Sequence, residues 1–247
     1  MSTDWLRVFH APAAQAPGVR LVCFPYAGGS AAAFRLMTRE LPPEAADVEV
    51  LAVQYPGRQD RHREPPLPTI EALADAVVQE LAAYEAPETP LVLLGHSMGA
   101  LVAYEAARRL APAGLIVSGR QGPSVPRPSR DEPLDDDAIL ALVRRLDGPG
   151  TSALDHPEVL RLALPSLRAD FNAVRTYVHR PAPRLACPVT ALTGAKDRHV
   201  TESDAAAWRH ETTGPFTLEL VDGGHFFLHE NPAAYGTEVG KALAALT

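Results

Sequence analysis

Residues 91–102 read Leu91-Val92-Leu93-Leu94-Gly95-His96-Ser97-Met98-Gly99-Ala100-Leu101-Val102. The apolar run predicts a buried strand, and the pattern after it predicts a helix. Between them stands Gly-x-Ser-x-Gly, the pattern of a nucleophile elbow, in which a serine occupies a strained strand-to-helix turn. Gly95 and Gly99 lack the bulk that would keep the two backbones apart. The stretch therefore predicts that Ser97 projects from the end of a sheet, with the Met98 N–H at the positive end of a helix.

Strand-like and helix-like segments alternate along most of the chain. The predicted strands are Trp5–Phe9, Val19–Phe24, Val48–Val53, the run from Leu91, Gly114–Ser118, Pro188–Thr193 and Phe216–Val221. The predicted helices are Ile70 to about Tyr84 with Thr69 as cap, Met98 to about Leu110, about Glu202 to Glu211, and a last helix at the end. This alternation predicts an α/β protein with a mainly parallel sheet covered by helices on both faces.

The alternation stops between about residues 120 and 185. Residues 121–133 are rich in proline, serine and charge, and only two helical patterns, near Asp136–Leu146 and Glu158–Tyr177, precede the next strand. A helical insertion beside the C-terminal edge of a sheet has the character of a lid, and a surface decoration is the alternative. We therefore expect a single domain over residues 1–247, with a lid insertion at about 120–185.

Composition restricts the classes of partner. The 247 residues carry 23 basic and 30 acidic side chains, a net charge of −7, which argues against a nucleic-acid partner. No apolar run reaches the roughly 18 residues of a membrane span, and the N-terminus lacks a signal-peptide pattern. We expect a cytoplasmic protein with no membrane association, and nothing demands more than a monomer. Cys23 and Cys187 each adjoin a predicted strand, which favours two core thiols over a disulfide or metal pair.

A serine hydroxyl needs a neighbouring base, and the base needs an acid that orients it. Elbow hydrolases supply these groups in the chain order serine, acid, histidine. Here Asp197 and His225 each follow a predicted strand, as Ser97 does, so the three meet at the edge where an open α/β sheet gathers its ligand site. Gly223-Gly224 frees the loop that would bring His225 inward. The sequence predicts Ser97, Asp197 and His225 as a catalytic triad.

Other residues compete for the same roles. His96, His199 and His229 are alternative bases, although we expect His96 to pack or hydrogen-bond locally. Asp222 and Asp170 are alternative acids, expected instead to be a turn former and a surface charge on the lid. No pair of His or Cys residues has the short spacing of a zinc motif, and no glycine-rich phosphate loop with a lysine is present. We expect neither a metal nor a cofactor.

A second glycine-rich loop follows the strand that ends at Phe24. It reads Pro25-Tyr26-Ala27-Gly28-Gly29-Ser30. A double glycine suits a loop whose backbone N–H groups approach a ligand, and an elbow hydrolase takes its second oxyanion donor from such a loop. We predict the N–H groups of Ala27 and Met98 as the oxyanion hole. The alternative is a plain turn with Ser30 as an N-cap.

Five motifs together resemble the type II thioesterases, the editing enzymes associated with polyketide synthases and nonribosomal peptide synthetases. In chain order they are Cys23–Ser30, Gln54–Arg61, Gly95–Gly99, Leu164–Phe171 and Gly223–Phe227. The resemblance covers essentially the whole chain. Tyr26 is a departure, because many relatives carry histidine there, and this change affects a pocket wall while leaving the Ala27 donor in place.

The resemblance implies an α/β-hydrolase fold and a hydrolase that removes stalled or aberrant acyl groups from the phosphopantetheine thiol of acyl or peptidyl carrier domains. It implies that the lid shapes the acyl chamber, and we expect Tyr26, Phe171 and Phe226 to contact substrate. A small-molecule esterase or lipase would share the elbow and triad, and a non-catalytic binding protein could keep the fold. Comparing a thioester with the matching oxygen ester separates the two enzymes.

Carrier domains of this kind tend to be acidic, whereas the chain itself is net negative. Docking is therefore expected to use apolar contacts or a local basic patch. The candidates for that patch are Arg58, Arg61, Arg63, Arg120, Arg127 and Arg130. Solvated surface arginines are the alternative.

Overall fold

Seven strands form one sheet in the computed structural model, which describes residues 4–12, 17–84, 88–126 and 134–246. They are β1 (Leu6–His10), β2 (Val19–Phe24), β3 (Val48–Val53), β4 (Leu91–His96), β5 (Gly114–Ser118), β6 (Val189–Gly194) and β7 (Phe216–Val221). The strand order is β1-β3-β2-β4-β5-β6-β7. Only β1 runs antiparallel to its neighbour, and the other pairs are parallel. The predicted mainly parallel sheet is confirmed.

Eight α-helices accompany this sheet in the described residues. They are α1 (Arg35–Arg39), α2 (Ile70–Ala83), α3 (Met98–Leu110), α4 (Asp136–Leu146), α5 (Pro157–Thr176), α6 (Glu202–Ala206), α7 (Phe227–Glu230) and α8 (Pro232–Ala244). α2 begins where predicted, because the Thr69 side chain accepts a hydrogen bond from the Ala72 N–H at 3.1 Å. α3 ends at Leu110, because the next residue, Ala111, has a left-handed φ of 47°.

The boundaries differ from the predictions in several places, and β6 and α5 are each shifted by one residue from their predicted ranges. The first strand begins and ends one residue later than predicted. The predicted helix over Glu202–Glu211 is α-helical only to Ala206 and continues as a 3-10 helix. Residues 31–39, which were not predicted as helical, form a 3-10 turn followed by α1, and they bury Phe34 and Met37 under the sheet. Tertiary packing stabilises these short turns, whose own helix propensity is weak.

The core lies on both faces of the sheet. On one face α2 and α3 pack over β2 and β4 with residues such as Leu73, Leu101 and Tyr104, and on the other α1 and α8 contribute Met37 and Tyr235. This two-sided burial explains why the parallel strands read as continuous apolar runs. Both cysteines are free; the Cys23 side chain is fully buried and that of Cys187 is half-buried.

The helices between β5 and β6 in the described residues are α4, a 3-10 helix at Thr151–Asp155 and α5. The C-terminal half of α5 is packed against the body of the protein, with Ser166, Leu167 and Asp170 buried. The N-terminal half of α5 is largely accessible to solvent, with Val159 and Leu162 exposed by 39% and 53%. None of the helices in the described ranges is both long and apolar enough to span a membrane.

Candidate active site

Ser97 stands at the corner between β4 and α3 in a backbone conformation that serine rarely adopts, with φ 54° and ψ −112°. Its N–H donates to the Ser118 carbonyl at 2.8 Å. The corner is tight on both sides, because a Cβ on Gly95 would lie 2.2 Å from the Gly99 carbonyl oxygen and one on Gly99 would lie 2.0 Å from that of Phe24. The two glycines thus permit the strain that turns the Ser97 side chain outward.

Ser97, His225 and Asp197 form a hydrogen-bonded line at the C-terminal edge of the sheet. The His225 Nε2 atom lies 3.1 Å from Ser97 Oγ, and His225 Nδ1 lies 2.8 Å from Asp197 Oδ2. The side chains of His225 and Asp197 are 6% and 0% exposed. With Nδ1–H donated to the carboxylate, Nε2 is left as the acceptor for the serine proton. The arrangement can therefore transfer a proton from Ser97 to His225.

The other oxygen of Asp197 is held by backbone donors. Asp197 Oδ1 accepts from the N–H groups of His199 at 2.7 Å and Val200 at 3.2 Å. Burial acts to raise the pKa of Asp197, but the hydrogen bond and charge of His225 and these two N–H groups outweigh it, so the pKa lies below its ordinary value. Asp197 is thus held as a carboxylate beside the imidazole.

The three alternative histidines lie nearby, and two of them have side-chain partners of their own. His96 is fully buried with Nδ1 2.6 Å from Ser118 Oγ, and burial together with the charges of His225 and His229 lowers its pKa well below the ordinary value. Burial also lowers the pKa of His229, whose Nε2 lies 3.0 Å from the Tyr26 hydroxyl. The exposed His199 ring is centred 5.8 Å from that of His225.

Ala27 and Met98 line the same small cavity as Ser97 and His225, a space of about 140 Å³. Met98 is the first residue of α3, so its N–H lies at the positive end of that helix. In the glycine loop, the Gly28 N–H is donated to Asp170 at 2.7 Å. The Gly29 N–H is donated to the Tyr26 carbonyl at 2.8 Å, and Ser30 makes no side-chain cap bond to the turn that follows it.

Asp170 is not the surface charge that was expected. Its side chain is 0% exposed, and its oxygens lie 2.7 Å and 3.0 Å from Arg58 Nη1 and Nη2. The alternative acid Asp222 is exposed and pairs with Lys196 at 2.6 Å. The expectation for Asp170 was wrong because its partner lies 112 residues away in the sequence, and no local pattern reveals such a pair.

The predicted docking arginines are also distributed differently. Arg58 and Arg61 are each only 7% exposed, and Arg61 donates to the Gln54 carbonyl at 2.8 Å, so neither belongs to an exposed basic patch. Arg120 is half-buried and lines the small cavity, whereas Arg63 is exposed. Arg127 and Arg130 lie outside the described residues.

A larger cavity of about 470 Å³ adjoins the small one. Tyr26, Phe171 and Phe226, the three predicted substrate contacts, line both cavities. The remaining wall is built largely from apolar side chains of the segment between β5 and β6 that were not singled out from the sequence: Val143, Leu146, Leu154, Val159 and Leu162. Except for Leu154, they lie on the apolar side of the two predicted helical patterns, and such a side equally suits an ordinary core face.

Metal ligands are not gathered at this site. In the described ranges, no group of three or more His, Cys, Asp or Glu side chains is placed to hold a metal ion.

A serine aligned with an imidazole and a carboxylate at the C-terminal edge of a parallel sheet defines the class of serine hydrolases with an α/β-hydrolase fold. The Thioesterase domain family model matches residues 19–239. The chain belongs to this thioesterase family and, within it, to the type II thioesterases.

Individual relatives agree with this assignment. The chain is 46% identical over 244 residues to a probable cadicidin biosynthesis thioesterase of Streptomyces griseus, covering 97% of this chain and 66% of the relative. It is 48% identical over 232 residues to the thioesterase PikA5 of Streptomyces venezuelae, covering 92% and 80% of the two chains. Among solved structures it is similar to the type II thioesterase BorB from the borrelidin biosynthetic cluster, with a TM-score of 0.85, 41% identity, and 98% and 99% coverage.

Proposed function

We propose that this protein hydrolyses acyl thioesters on the phosphopantetheine arm of acyl or peptidyl carrier domains, and so removes stalled or aberrant acyl groups during polyketide or nonribosomal peptide synthesis. One observation carries the proposal. The line Ser97–His225–Asp197, with distances of 3.1 Å and 2.8 Å, opens into a small cavity that adjoins an apolar chamber. Relatives named as thioesterases of biosynthetic pathways support the choice of substrate.

The proposed reaction uses Ser97 as nucleophile and His225 as base. His225 takes the serine proton while the oxygen attacks the thioester carbonyl, and the N–H groups of Ala27 and Met98 stabilise the oxyanion. The carbon–sulfur bond then breaks, and the imidazolium returns its proton to the departing thiol. Water attacks the acyl-serine with His225 again as base, which releases the carboxylic acid and restores Ser97.

We propose that the larger cavity holds the acyl chain, with Tyr26, Phe171 and Phe226 at its junction with the small cavity. Two of the polar groups in its wall have internal partners, because the Tyr26 hydroxyl faces His229 and the Ser166 hydroxyl donates to the Gly57 carbonyl at 2.5 Å, whereas Gln59 and His62 are exposed. A wall built largely from apolar side chains favours hydrocarbon over polar groups. The insertion at about 120–185 acts as a lid over this chamber, within a single domain of residues 1–247.

Carrier domains are the proposed partners, and neither nucleic acid nor membrane takes part. Because the net charge of the chain is −7 and Arg58 and Arg61 are buried, docking relies on apolar contacts around the chamber and on exposed arginines such as Arg63. Because the substrate is attached to assembly-line proteins, we propose that the reaction takes place in the cytoplasm. We also propose that the protein acts as a monomer and needs no cofactor.

The decisive experiment compares release of acetyl, butyryl and octanoyl groups from a phosphopantetheinyl carrier protein with hydrolysis of the matching oxygen esters. We expect thioester release by the unmodified protein and a loss of more than about 10³-fold in Ser97→Ala, with folding retained. Activity on the oxygen esters alone would identify an esterase. No hydrolysis of either the thioesters or the oxygen esters, or substantial turnover by Ser97→Ala, would contradict the proposal.

A further inference from the structure

A second buried polar cluster lies beside the proposed oxyanion hole and takes no part in the proton relay. At its centre is Asp170 on α5, with Arg58 from the loop after β3 on one side. Asp170 Oδ2 accepts both from Arg58 Nη1 and from the Gly28 N–H, each at 2.7 Å. Arg58 Nη1 also donates to the Gly29 carbonyl at 3.2 Å. Three segments that are distant in the sequence therefore meet at one carboxylate.

The same side of α5 makes two further contacts with these loops. The Ser166 hydroxyl donates to the Gly57 carbonyl at 2.5 Å, and Leu167 packs so closely on Gly28 that a Cβ there would lie 2.5 Å from Leu167 Cδ2. Gly28 and Gly57 both have positive φ values, 74° and 85°. Glycine makes these conformations accessible but does not select them, because it adopts many others equally well. The contacts with α5 hold Gly28 and Gly57 in these particular conformations.

We propose that Asp170, neutralised by Arg58, is a positioning residue that holds residues 26–29 so that the Ala27 N–H points at the oxyanion. The Gly28 N–H belongs to the peptide group that directly follows Ala27. Fixing its direction fixes that peptide plane, and with it the chain on the C-terminal side of the donor. The inference rests on the proposed function, since it assumes that Ala27 is an oxyanion donor.

A carboxylate suits this position for an electrostatic reason. A charged acceptor makes a shorter and stronger hydrogen bond to a backbone N–H than a neutral one does. A buried carboxylate is tolerated only with a partner, and the two-pronged contact with Arg58 provides it. Arg58 thus allows Asp170 to be buried, while Asp170 holds the loop.

Two double variants separate this role from that of a structural ion pair. Arg58→Met with Asp170→Asn and Arg58→Met with Asp170→Leu both remove the ion pair and leave side chains of similar size. Only the asparagine variant keeps an acceptor for the Gly28 N–H. Losing a whole oxyanion donor costs about 10²- to 10³-fold in turnover. For a displaced donor we expect kcat of the leucine variant to be at least about tenfold below that of the asparagine variant.

The substrate for this comparison is the butyryl thioester of N-acetylcysteamine, which needs no carrier docking. We expect KM to differ by less than about threefold between the two variants, because an oxyanion donor acts mainly in the transition state. Equal kcat values in two folded variants would overturn the proposal, and so would a difference confined to KM. If the unmodified protein fails to hydrolyse this thioester and carrier-bound acyl groups alike, the proposed function itself is wrong.

Hydrogen exchange supplies a second measurement that needs no folded variant and no activity. In the unmodified protein, the Gly28 amide is expected to exchange as slowly as amides in β2 and β4, although it lies in a loop. Rapid exchange of Gly28 would overturn the proposed contact even if thioester hydrolysis is intact. In folded Asp170→Asn, exchange of this amide should become faster, because a neutral acceptor binds the N–H less strongly.

Discussion

At Ser97 the backbone holds a conformation that costs energy in isolation, of the order of 1–3 kcal/mol for a residue forced into a sparsely populated region. The cost is tolerated because β4 and α3 are anchored in the core on either side, with Leu94 and Leu101 both fully buried. The close approach at Gly95 and Gly99 removes the room for any side chain at those two positions. The strained conformation of Ser97 therefore depends on glycine at both position 95 and position 99.

Gly99→Ala should destabilise the protein strongly. The new methyl group would lie 2.0 Å from the Phe24 carbonyl oxygen, and backbone on both sides prevents relief. We expect the free energy of unfolding in urea to fall by about 3 kcal/mol or more. Gly150→Ala is the matched control, because its φ is 78° but nothing lies within 4 Å of the new methyl group. Its cost should be about 1 kcal/mol, from backbone strain alone. Equal losses in the two variants would contradict the steric explanation.

Asp197→Asn should leave the fold in place and remove most of the activity. An amide at this position can present an N–H to His225 Nδ1, which reverses the imidazole tautomer and leaves Nε2 protonated toward Ser97. We expect kcat for a short acyl thioester to fall by about 10⁴-fold. Asp222→Asn changes an exposed aspartate in the same way and serves as the control, with kcat expected within about twofold of the parent. A mild effect of Asp197→Asn would reassign the acid.

Among the elements, α5 has two functions in its two halves. Residues after Pro165 are buried against the loops that follow β2 and β3, through Ser166, Leu167 and Asp170. Residues before Pro165 are exposed or half-buried and line the larger cavity through Val159, Leu162 and Ala163. A proline inside a helix removes one backbone hydrogen bond at the boundary between these halves. One helix thus serves both the chamber wall and the anchor of the glycine loop.

Leu162→Ala should change the preference for acyl length without changing stability. The Leu162 side chain lines the chamber but is 53% exposed, so little folding energy depends on it. Each methylene of contact with a bound chain contributes about 0.8 kcal/mol. We expect kcat/KM for an octanoyl thioester to fall about fivefold or more, with less than about a twofold change for acetyl.

Leu36→Ala provides the control for this experiment. Leu36 is 44% exposed on α1 and does not line the chamber. Leu36→Ala should change kcat/KM for neither the octanoyl nor the acetyl thioester. The free energy of unfolding in urea should lie within about 0.5 kcal/mol of the parent for both variants. If Leu162→Ala lowered kcat/KM equally for the octanoyl and acetyl thioesters, the proposal that the chamber holds the acyl chain would be contradicted.

At the scale of the whole molecule, the proposed site couples to overall stability through Asp197. Its pKa is lowered in the folded protein, so the folded state binds a proton there less readily than the unfolded chain does. The resulting stabilisation is present above the unfolded pKa, near the ordinary value of 3.8. It is lost as the pH falls through the lower folded value.

The stability of Asp197→Asn should therefore depend less steeply on pH in acid. Below about pH 4, protonation of Asp197 lowers the parent's free energy of unfolding by up to about 1.4 kcal/mol per pH unit. The asparagine variant has no such group and lacks this contribution. Urea unfolding between pH 6 and the acid limit measures the difference in slope. Asp222→Asn, at an exposed position, should keep the slope of the parent. Parallel curves for Asp197→Asn and the parent would show that the carboxylate is not held in its charged form.

The amino-acid sequence alone determined the architecture of this protein. Apolar runs, helical periodicity, the Thr69 cap and the elbow around Ser97 are local signals, and they predicted the parallel strands and most helices within a few residues. The positions of Asp197 and His225 after strands could be read in the same way, because parallel strands bring their C-terminal ends to one edge. Local pattern is sufficient wherever secondary structure itself decides the position of a residue.

The long-range contacts of Asp170 and Arg58 could be read only from the folded structure. The sequence predicts Asp170 and Arg58 as surface charges, because isolated charged residues are mostly exposed. Their burial depends on a partner 112 residues away and on the Gly28 N–H, neither of which leaves a periodic signal. The chamber of about 470 Å³ likewise exists only between elements. Its volume depends on how α4 and α5 lie over the loops, and that packing is a property of the assembled chain.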